Sequence, residues 1–382
     1  MGAAVKTDGL ARALRLGSDA PYRRLVGVGG IGAGIFFALE GNHDLGRNES
    51  RPGRLLDVRD YCKLHIVAQY PTVLLGARED QGPFHVVPVG KVGIDEVGLR
   101  LRAEMERAGM DVRFVDALPG RPTLLSVCYQ YPDGSGGNLT TIDSAASLVG
   151  ERDVDAVERW LSPSTMALAA PEVPLAVRRH LLRRATEKGA LRVASLTTAE
   201  IPQALETGFL SVVDLLSLNE DEAAALVGEP WPAEDPRSFL DRCADTLRAS
   251  QPTMRAVVTA GARGAYAFDG AAWTHVPALP VQVVSTAGAG DALLGALLAG
   301  LAVGLPFAGP PGSRASLTER PLATAVDLGA LVAAFKVTSP HTIPPGFSLG
   351  TLVAFARGHG VTFAEGFERL LPAGMAREHP RG

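Results

Sequence analysis

Seven consecutive residues, Ser285-Thr286-Ala287-Gly288-Ala289-Gly290-Asp291, end in an acid that heads an uncharged apolar run, Ala292 to Gly309. Those residue types can bind and use an anion. Side chains without bulk let backbone N–H groups approach an oxyanion closely. The N-terminus of a following helix adds unpaired N–H groups and partial positive charge. The turn Gly288-Ala289-Gly290 then forms an anion cradle with Asp291 at its lip. Two roles are open to Asp291 at this point. It caps the helix. Or it takes a proton from a hydroxyl attacking a phosphorus, while the cradle holds the charge that builds on the transferred group.

Two further stretches carry polar groups at regular spacing. Asn219 and Glu222, in "LLSLNEDEAAALVG", have the spacing of a capping box, in which each side chain serves the other's backbone amide. Thr259, Gly261, Arg263 and Gly264, in "VVTAGARGAYAF", read as the end of a strand, a glycine turn and a second strand.

The elements that must position these groups follow from hydrophobic period and turn chemistry. "RLVGVGGIGAGIFFAL" reads as one buried strand broken by glycines. The stretch after it, Glu40 to Asp57, is too rich in turn formers to be core. Helical periodicity returns from Tyr61 to Leu75, and "FHVVPVGKVG" is a strand. A helix opens at Asp95 and stops at Gly109. Two alternating segments around Asp133–Gly137 form a hairpin with one wet face, placed at the edge of the fold or as a flap. From Val154 strands alternate with helices, which predicts an α/β fold with a mostly parallel sheet. "VQVVS" is the strand that delivers the chain to Gly288, so the cradle lies outside the carboxyl ends of the strands, where such sheets bind ligands.

Composition excludes several classes. Of 382 residues 46% are apolar, which suits a large core, and the net charge of −4 offers no general field for nucleic acid. The basic run Arg178, Arg179, His180, Arg183 and Arg184 reads as a solvated helix face. Three scattered cysteines predict neither a disulfide framework nor a metal knuckle. The run Ala292–Gly309 contains four glycines and Pro306, which suits a buried helix better than a membrane span. No signal peptide is read at the N-terminus. The expectation is a soluble, cytoplasmic protein with no nucleic-acid or membrane partner. Its single domain covers 21–369, between loose tails at 1–20 and 370–382.

The motif Thr286-Ala287-Gly288-Ala289-Gly290-Asp291 resembles the signature of the ribokinase-like, or PfkB-type, carbohydrate kinases. Ser285 stands where that family usually has Asp. The resemblance covers about Leu25 to Pro345 and is strongest from Val212 to Gly300. It implies a three-layer sandwich with a small β-lid, built here from about 36–60 and 121–142. It implies an ATP-dependent kinase acting on a hydroxyl of a small sugar, polyol or nucleoside. Asp291 is then the general base and Gly288, Ala289 and Gly290 are the anion hole. Thr259, Gly261, Arg263, Gly264, Asn219, Thr286 and Ala287 become nucleotide contacts. Asn219 and Glu222 become the residues that hold Mg²⁺ and its waters, an ion that favours oxygen ligands. Some members also bind a monovalent cation near this loop, and an exposed lid edge offers a surface for pairing two subunits.

The half that should grip the acceptor departs from the family. Where members often carry an Asp in or after the first strand, this chain has Glu40, Asn42, His43 and Asp44 in a long polar loop, and no Gly-Gly pair with a downstream Asn is visible. Asn42, Asp44, Asn48, Lys63 and His65 are the candidates for acceptor contact, each with a plain alternative as a solvated loop or helix residue. Thr338 and His341 stand where the adenine side should be. Such divergence also suits a catalytically silent nucleotide-binding or regulatory member of the fold. Gly27-Val28-Gly29-Gly30-Ile31-Gly32 fits the G-x-G-x-x-G of an NAD-dependent oxidoreductase, but no acid closes a following strand about 20 residues on. Gly90-Lys91 is followed by Val92, so no Walker loop is present.

Overall fold

The computed structural model describes residues 13–79, 82–133 and 136–375. The outer parts of both expected tails (1–12 and 376–382) and the hairpin residues Gly134 and Ser135 lie outside the described residues.

The chain opens with strand β1 (Arg24–Val28), crosses at once to β2 (Gly32–Leu39) and returns through β3 (Gly53–Tyr61). The first apolar run is therefore two strands in two different sheets, not one. The glycines explain the break. A Cβ on Gly30 would overlap Glu172, so the chain turns there only because it has none. The dinucleotide-like glycine pattern serves this crossing: it leads to a lid strand, not to a helix N-terminus.

Helix α1 (Lys63–Leu74), strand β4 (His85–Gly93) and helix α2 (Glu96–Ala108) follow. The side chain of Asp95 accepts from the amide of Gly98, and Gly109 ends α2 in the left-handed conformation at φ 114°, as the sequence predicts. After β5 (Val115–Leu118), strands β6 (Leu124–Gln130) and β7 (Gly136–Thr140) make the expected hairpin. Then come α3 (Glu151–Asp155), β8 (Thr165–Ala169), α4 (Leu175–Glu187), β9 (Leu191–Ser195), α5 (Ile201–Glu206), β10 (Leu215–Asn219), α6 (Glu220–Val227), α7 (Arg237–Ser250) and β11 (Arg255–Thr259). The antiparallel pair β12 (Ala265–Phe268) and β13 (Trp273–Val276) precedes four helices, α8 (Ala289–Ala302), α9 (Ala325–Val337), α10 (Leu349–Gly358) and α11 (Glu365–Glu368).

Nine strands form one sheet in the order β13-β12-β11-β10-β9-β8-β1-β4-β5. Pairing is parallel from β11 to β5 and antiparallel at β12 and β13. Alternate side chains feed two layers. Leu215 and Val257 join the core beneath α1, α2, α8, α9 and α10, while Leu216 and Val258 join the core beneath α5, α6 and α7. A separate four-stranded sheet, β3-β2-β6-β7, is the lid. Its strands run from Gly32 to Tyr61 and from Leu124 to Thr140, so the first begins a few residues before the expected lid segment at about 36.

Three expectations change. "VQVVS" is not a strand: residues 281–285 form an irregular segment with Val283 and Val284 exposed. The amides of Val284 and Ser285 pair with the end of α9, not with the sheet. Arg178 is not on a solvated face, because it is fully buried between Glu200 and the carbonyl of Ser195, at 2.6 Å from each. The inner ends of the expected tails are packed. Leu14 and Leu371 are buried, and the amide of Arg15 bonds the carbonyl of Leu370. The apolar run from Ala292 is a core helix, and no helix among the described residues is long and apolar enough to cross a membrane.

Candidate active site

The parallel strands β10 and β11 end at Asn219 and Thr259, which are register partners. The N-terminus of α8 meets them there. A cavity of about 940 Å³ opens at this edge, lined by Lys63, Asn219, Glu222, Thr259, Gly261, Gly264, Thr286, Gly288, Ala289, Gly290 and Asp291. Its apolar wall comes from Leu279, Pro280, Val281 and Val283 of the irregular segment and from Ala330, Ala333 and Val337 of α9. A flat aromatic ring fits such a wall better than a charged group does.

Gly288 begins α8 at φ 73°, with no side-chain cap. Asp291 makes no hydrogen bond to a helix amide among the described residues, so capping is not its role here. The cradle is narrower than the sequence suggests. The amide of Ala289 donates to the carbonyl of Thr286 at 3.1 Å, and that of Ala287 to Ser285 Oγ at 3.3 Å. The amides of Gly288, Gly290 and Asp291 have no protein acceptor among the described residues and stay available to an anion. A Cβ on Gly288 would stand 3.1 Å from Thr342 Cβ. The left-handed backbone alone costs a non-glycine residue roughly 1–2 kcal/mol. Gly288→Ala is therefore expected to weaken nucleotide binding about tenfold by calorimetry, a tenfold change being about 1.4 kcal/mol. Gly358→Ala, where a Cβ meets open space, is expected to change nothing.

Around Asp291 the fold gathers acids and amines from segments far apart in sequence. Lys63, the first residue of α1, lies 3.6 Å from Glu222 Oε1. Glu172 follows β8 in a left-handed backbone at φ 75°, a conformation that costs a residue with a side chain and clusters at functional sites. Its Oε2 accepts from the amide of Lys63 at 3.2 Å. Burial raises the Glu172 carboxyl to about 7, against the pull of Lys63 and a hydrogen bond from Cys62. Burial also raises Asp291, and Lys63 works against it. Lys63 itself is disfavoured by burial, but Asp291, Glu222 and Glu172 outweigh that and hold it above its usual range. On the lid strand β3, burial raises Asp60 to about 6, a hydrogen bond from Thr342 opposing it.

Of the residues read from sequence, the structure brings together Asp291, Gly288, Ala289, Gly290, Thr286, Thr259, Gly261, Gly264, Asn219, Glu222 and Lys63. It places others elsewhere. The Arg263 guanidinium is held by Glu220 at 2.6 Å and by the carbonyl of Pro232 at 2.8 Å, over the Trp231 ring. The amide of Ala287 is already paired. Asn42, Asp44 and Asn48 are exposed on the loop between β2 and β3, where Asn42 accepts from the amide of Asp133. His65 is buried against Tyr61, and burial pushes its pKa down to about 3, so it is neutral and away from the cavity. His341 accepts from the amide of Arg59, and Thr338 bonds its own helix end. Asp60, Glu172 and Lys336 were missed, since no spacing links them. The one available signal was a lone acid after a strand in "ALAAPEVP".

A metal site needs oxygen donors with free lone pairs. Asn219 Oδ1 already accepts from the Glu222 amide at 2.8 Å, and Glu222 Oε2 from the Asn219 amide at 2.9 Å. The capping box is fully formed. No cluster of three His, Cys, Asp or Glu among the described residues is arranged for a metal. One accepted hydrogen bond leaves each of these oxygens a second lone pair, so the capping box is compatible with Asn219 and Glu222 serving as oxygen donors to a Mg²⁺ that keeps several waters.

A family model described as "pfkB family carbohydrate kinase" matches residues 77–347. Among curated proteins, the bifunctional ribokinase/ribose-5-phosphate isomerase A of Fructilactobacillus sanfranciscensis is 26% identical over 256 residues, 66% of this chain and 45% of that protein. The deoxyribokinase of Salmonella typhi is 24% identical over 55% of this chain and 66% of its own. The chain thus spans less than two thirds of each. Among solved structures, Arabidopsis thaliana ribokinase complexed with ribose and ATP superposes with a TM-score of 0.62 at 18% identity, covering 92% of this chain and 99% of that one.

Proposed function

The chain belongs to the pfkB family of carbohydrate kinases, and from that premise we propose that it transfers the γ-phosphoryl group of ATP to a hydroxyl of a small sugar, polyol or nucleoside. The observation that carries this reading is Asp291. It is an acid at the mouth of a helix where the amides of Gly288, Gly290 and Asp291 have no acceptor among the described residues, raised by burial toward the working range of a base and kept ionisable by Lys63.

The acceptor lies between the lid and the sheet. Its hydroxyl faces Asp291, which accepts the proton as the oxygen attacks the γ-phosphorus and the bond from that phosphorus to the β-phosphate oxygen breaks, releasing ADP. The amides of Gly288, Gly290 and Asp291, with the α8 dipole, hold the transferred oxygens. Mg²⁺, when bound with the nucleotide, neutralises phosphate charge. Glu172 and Asp60 take the place of the missing sugar motif. A Cβ on Gly34 of β2 would fall within the Asp60 carboxylate, so an acid from β3 fills the space of the absent side chain. Acids at about 6 and about 7 can accept from, or donate to, acceptor hydroxyls near neutral pH. The apolar wall receives the nucleotide base.

Incubation with ATP and Mg²⁺ against ribose, deoxyribose, fructose phosphates, inositols and nucleosides is expected to give phosphorylated product with at least one class. ATP binding by calorimetry without transfer to any acceptor would instead identify a silent nucleotide-binding member of the fold.

A further inference from the structure

Lys336 is fully buried in the last turn of α9, and the chemistry above does not use it. A buried amine needs compensation, and its partners are specific. Nζ donates to the carbonyl of Ser285 at 2.9 Å. The amides of Val284 and Ser285 both donate to the carbonyl of Val337, at 2.7 and 3.2 Å. Val337 ends α9, so its carbonyl has no partner within the helix, and a cation in that turn is favoured by the helix dipole. Ser285 and Val284 have no sheet partner. The end of α9 therefore fixes the segment that leads, three residues later, to Gly288. Asp60 of the lid is the acid whose charge bears on Lys336; burial lowers the amine to about 8 and Asp60 opposes this.

We propose that Lys336 is a positioning residue for phosphoryl transfer: an internal ammonium ion that orients the Ser285 peptide and so holds the anion turn in place. A free monovalent cation is then redundant at this carbonyl. The inference deepens the phosphotransferase reading and rests on it.

Lys336→Met keeps the length of the side chain and removes the charge. The expected result is a fall in kcat of about 10²-fold with acceptor KM changed less than threefold and no loss of thermal stability. Lys336→Ala leaves room for a small cation, and 100 mM ammonium chloride is expected to restore at least tenfold of its lost kcat. Wild-type activity is expected to be equal in sodium, potassium and choline salts. A kcat within threefold of wild type in Lys336→Met overturns the proposal. So does a loss that tracks unfolding and that ammonium does not relieve. Should Lys336→Met fail to fold, Lys336→Leu, which also removes both the charge and the donor, replaces it and is read by the same criteria. Amide exchange separates the two readings. Faster exchange at Val284, Ser285 and Gly288 in the variant, about tenfold or more, supports the positioning role even if wild type phosphorylates nothing, in which case the function reading has failed. Unchanged exchange rejects the role itself.

Discussion

Asp291→Asn is expected to lose about 10²–10⁴-fold in kcat, or roughly 3–5.5 kcal/mol of transition-state stabilisation, while nucleotide affinity stays within a few-fold of wild type. Asn has the size of Asp and cannot accept the proton. It leaves the cradle intact, because the amides that form it belong to the backbone and Asp291 caps nothing. The stability of this variant is an internal control. Burial raises the folded-state pKa of Asp291 above its unfolded value, so the ionised form penalises folding at every pH above the ordinary carboxylate range. That penalty fades as pH falls through the raised value, and Asn removes it. At pH 7 the variant should melt no lower than wild type. In wild type, log kcat/KM should fall on the acid side with its limb above the usual aspartate range. The residual rate of the variant should lack that limb. A variant with wild-type turnover shows that another group takes the proton.

Much of the fold was legible where its signals are local. Asp95 and Gly109 bound α2 through caps that a short window reveals. Asn219 and Glu222 form a capping box spelled out within four residues. The glycine turn before Asp291 is one contiguous motif. The cluster around Asp291 was only partly legible, Lys63 alone of Glu172, Lys63 and Asp60 being read as a candidate, because it is assembled across the sheet. Glu172 comes from the end of β8, Lys63 from the start of α1 and Asp60 from the lid. They meet only because parallel pairing brings the carboxyl ends of β1 and β8 side by side. Gly34 and Asp60 make the point most directly. Gly34 carries no side chain, and an acid from the neighbouring strand, 26 positions later, occupies the space beside it. Composition cannot show such a placement; register can. The misread "VQVVS" has the opposite cause. Its alternation is that of a strand, but the amides of Val284 and Ser285 bond the open end of α9 instead of a sheet.

The second large effect is expected at Lys63, and its signature lies in the pH profile. Asp291, Glu222 and Glu172 are each raised by burial and each drawn back by the same ammonium group. A charge at that range shifts a carboxyl by about 1–3 units. In Lys63→Met all three should climb together. Glu172, already near 7, becomes protonated at neutral pH, and Asp291 loses the ionised form that accepts the proton. Turnover at pH 7 is expected to drop about 10²–10³-fold, combining a protonated base with a lost cation for the phosphate oxygens. The two parts separate on raising the pH. Between pH 7 and 9 the base ionises again and about tenfold of the rate should return, whereas Asp291→Asn gains nothing over the same range. Lys63→Arg keeps the charge, so its acid limb should stay within half a unit of wild type even if its rate is lower. Should the acid limb of Lys63→Met coincide with that of wild type, the carboxylates are not governed by this amine. Asp291 would then owe its ionised form to the bound substrates rather than to the folded protein.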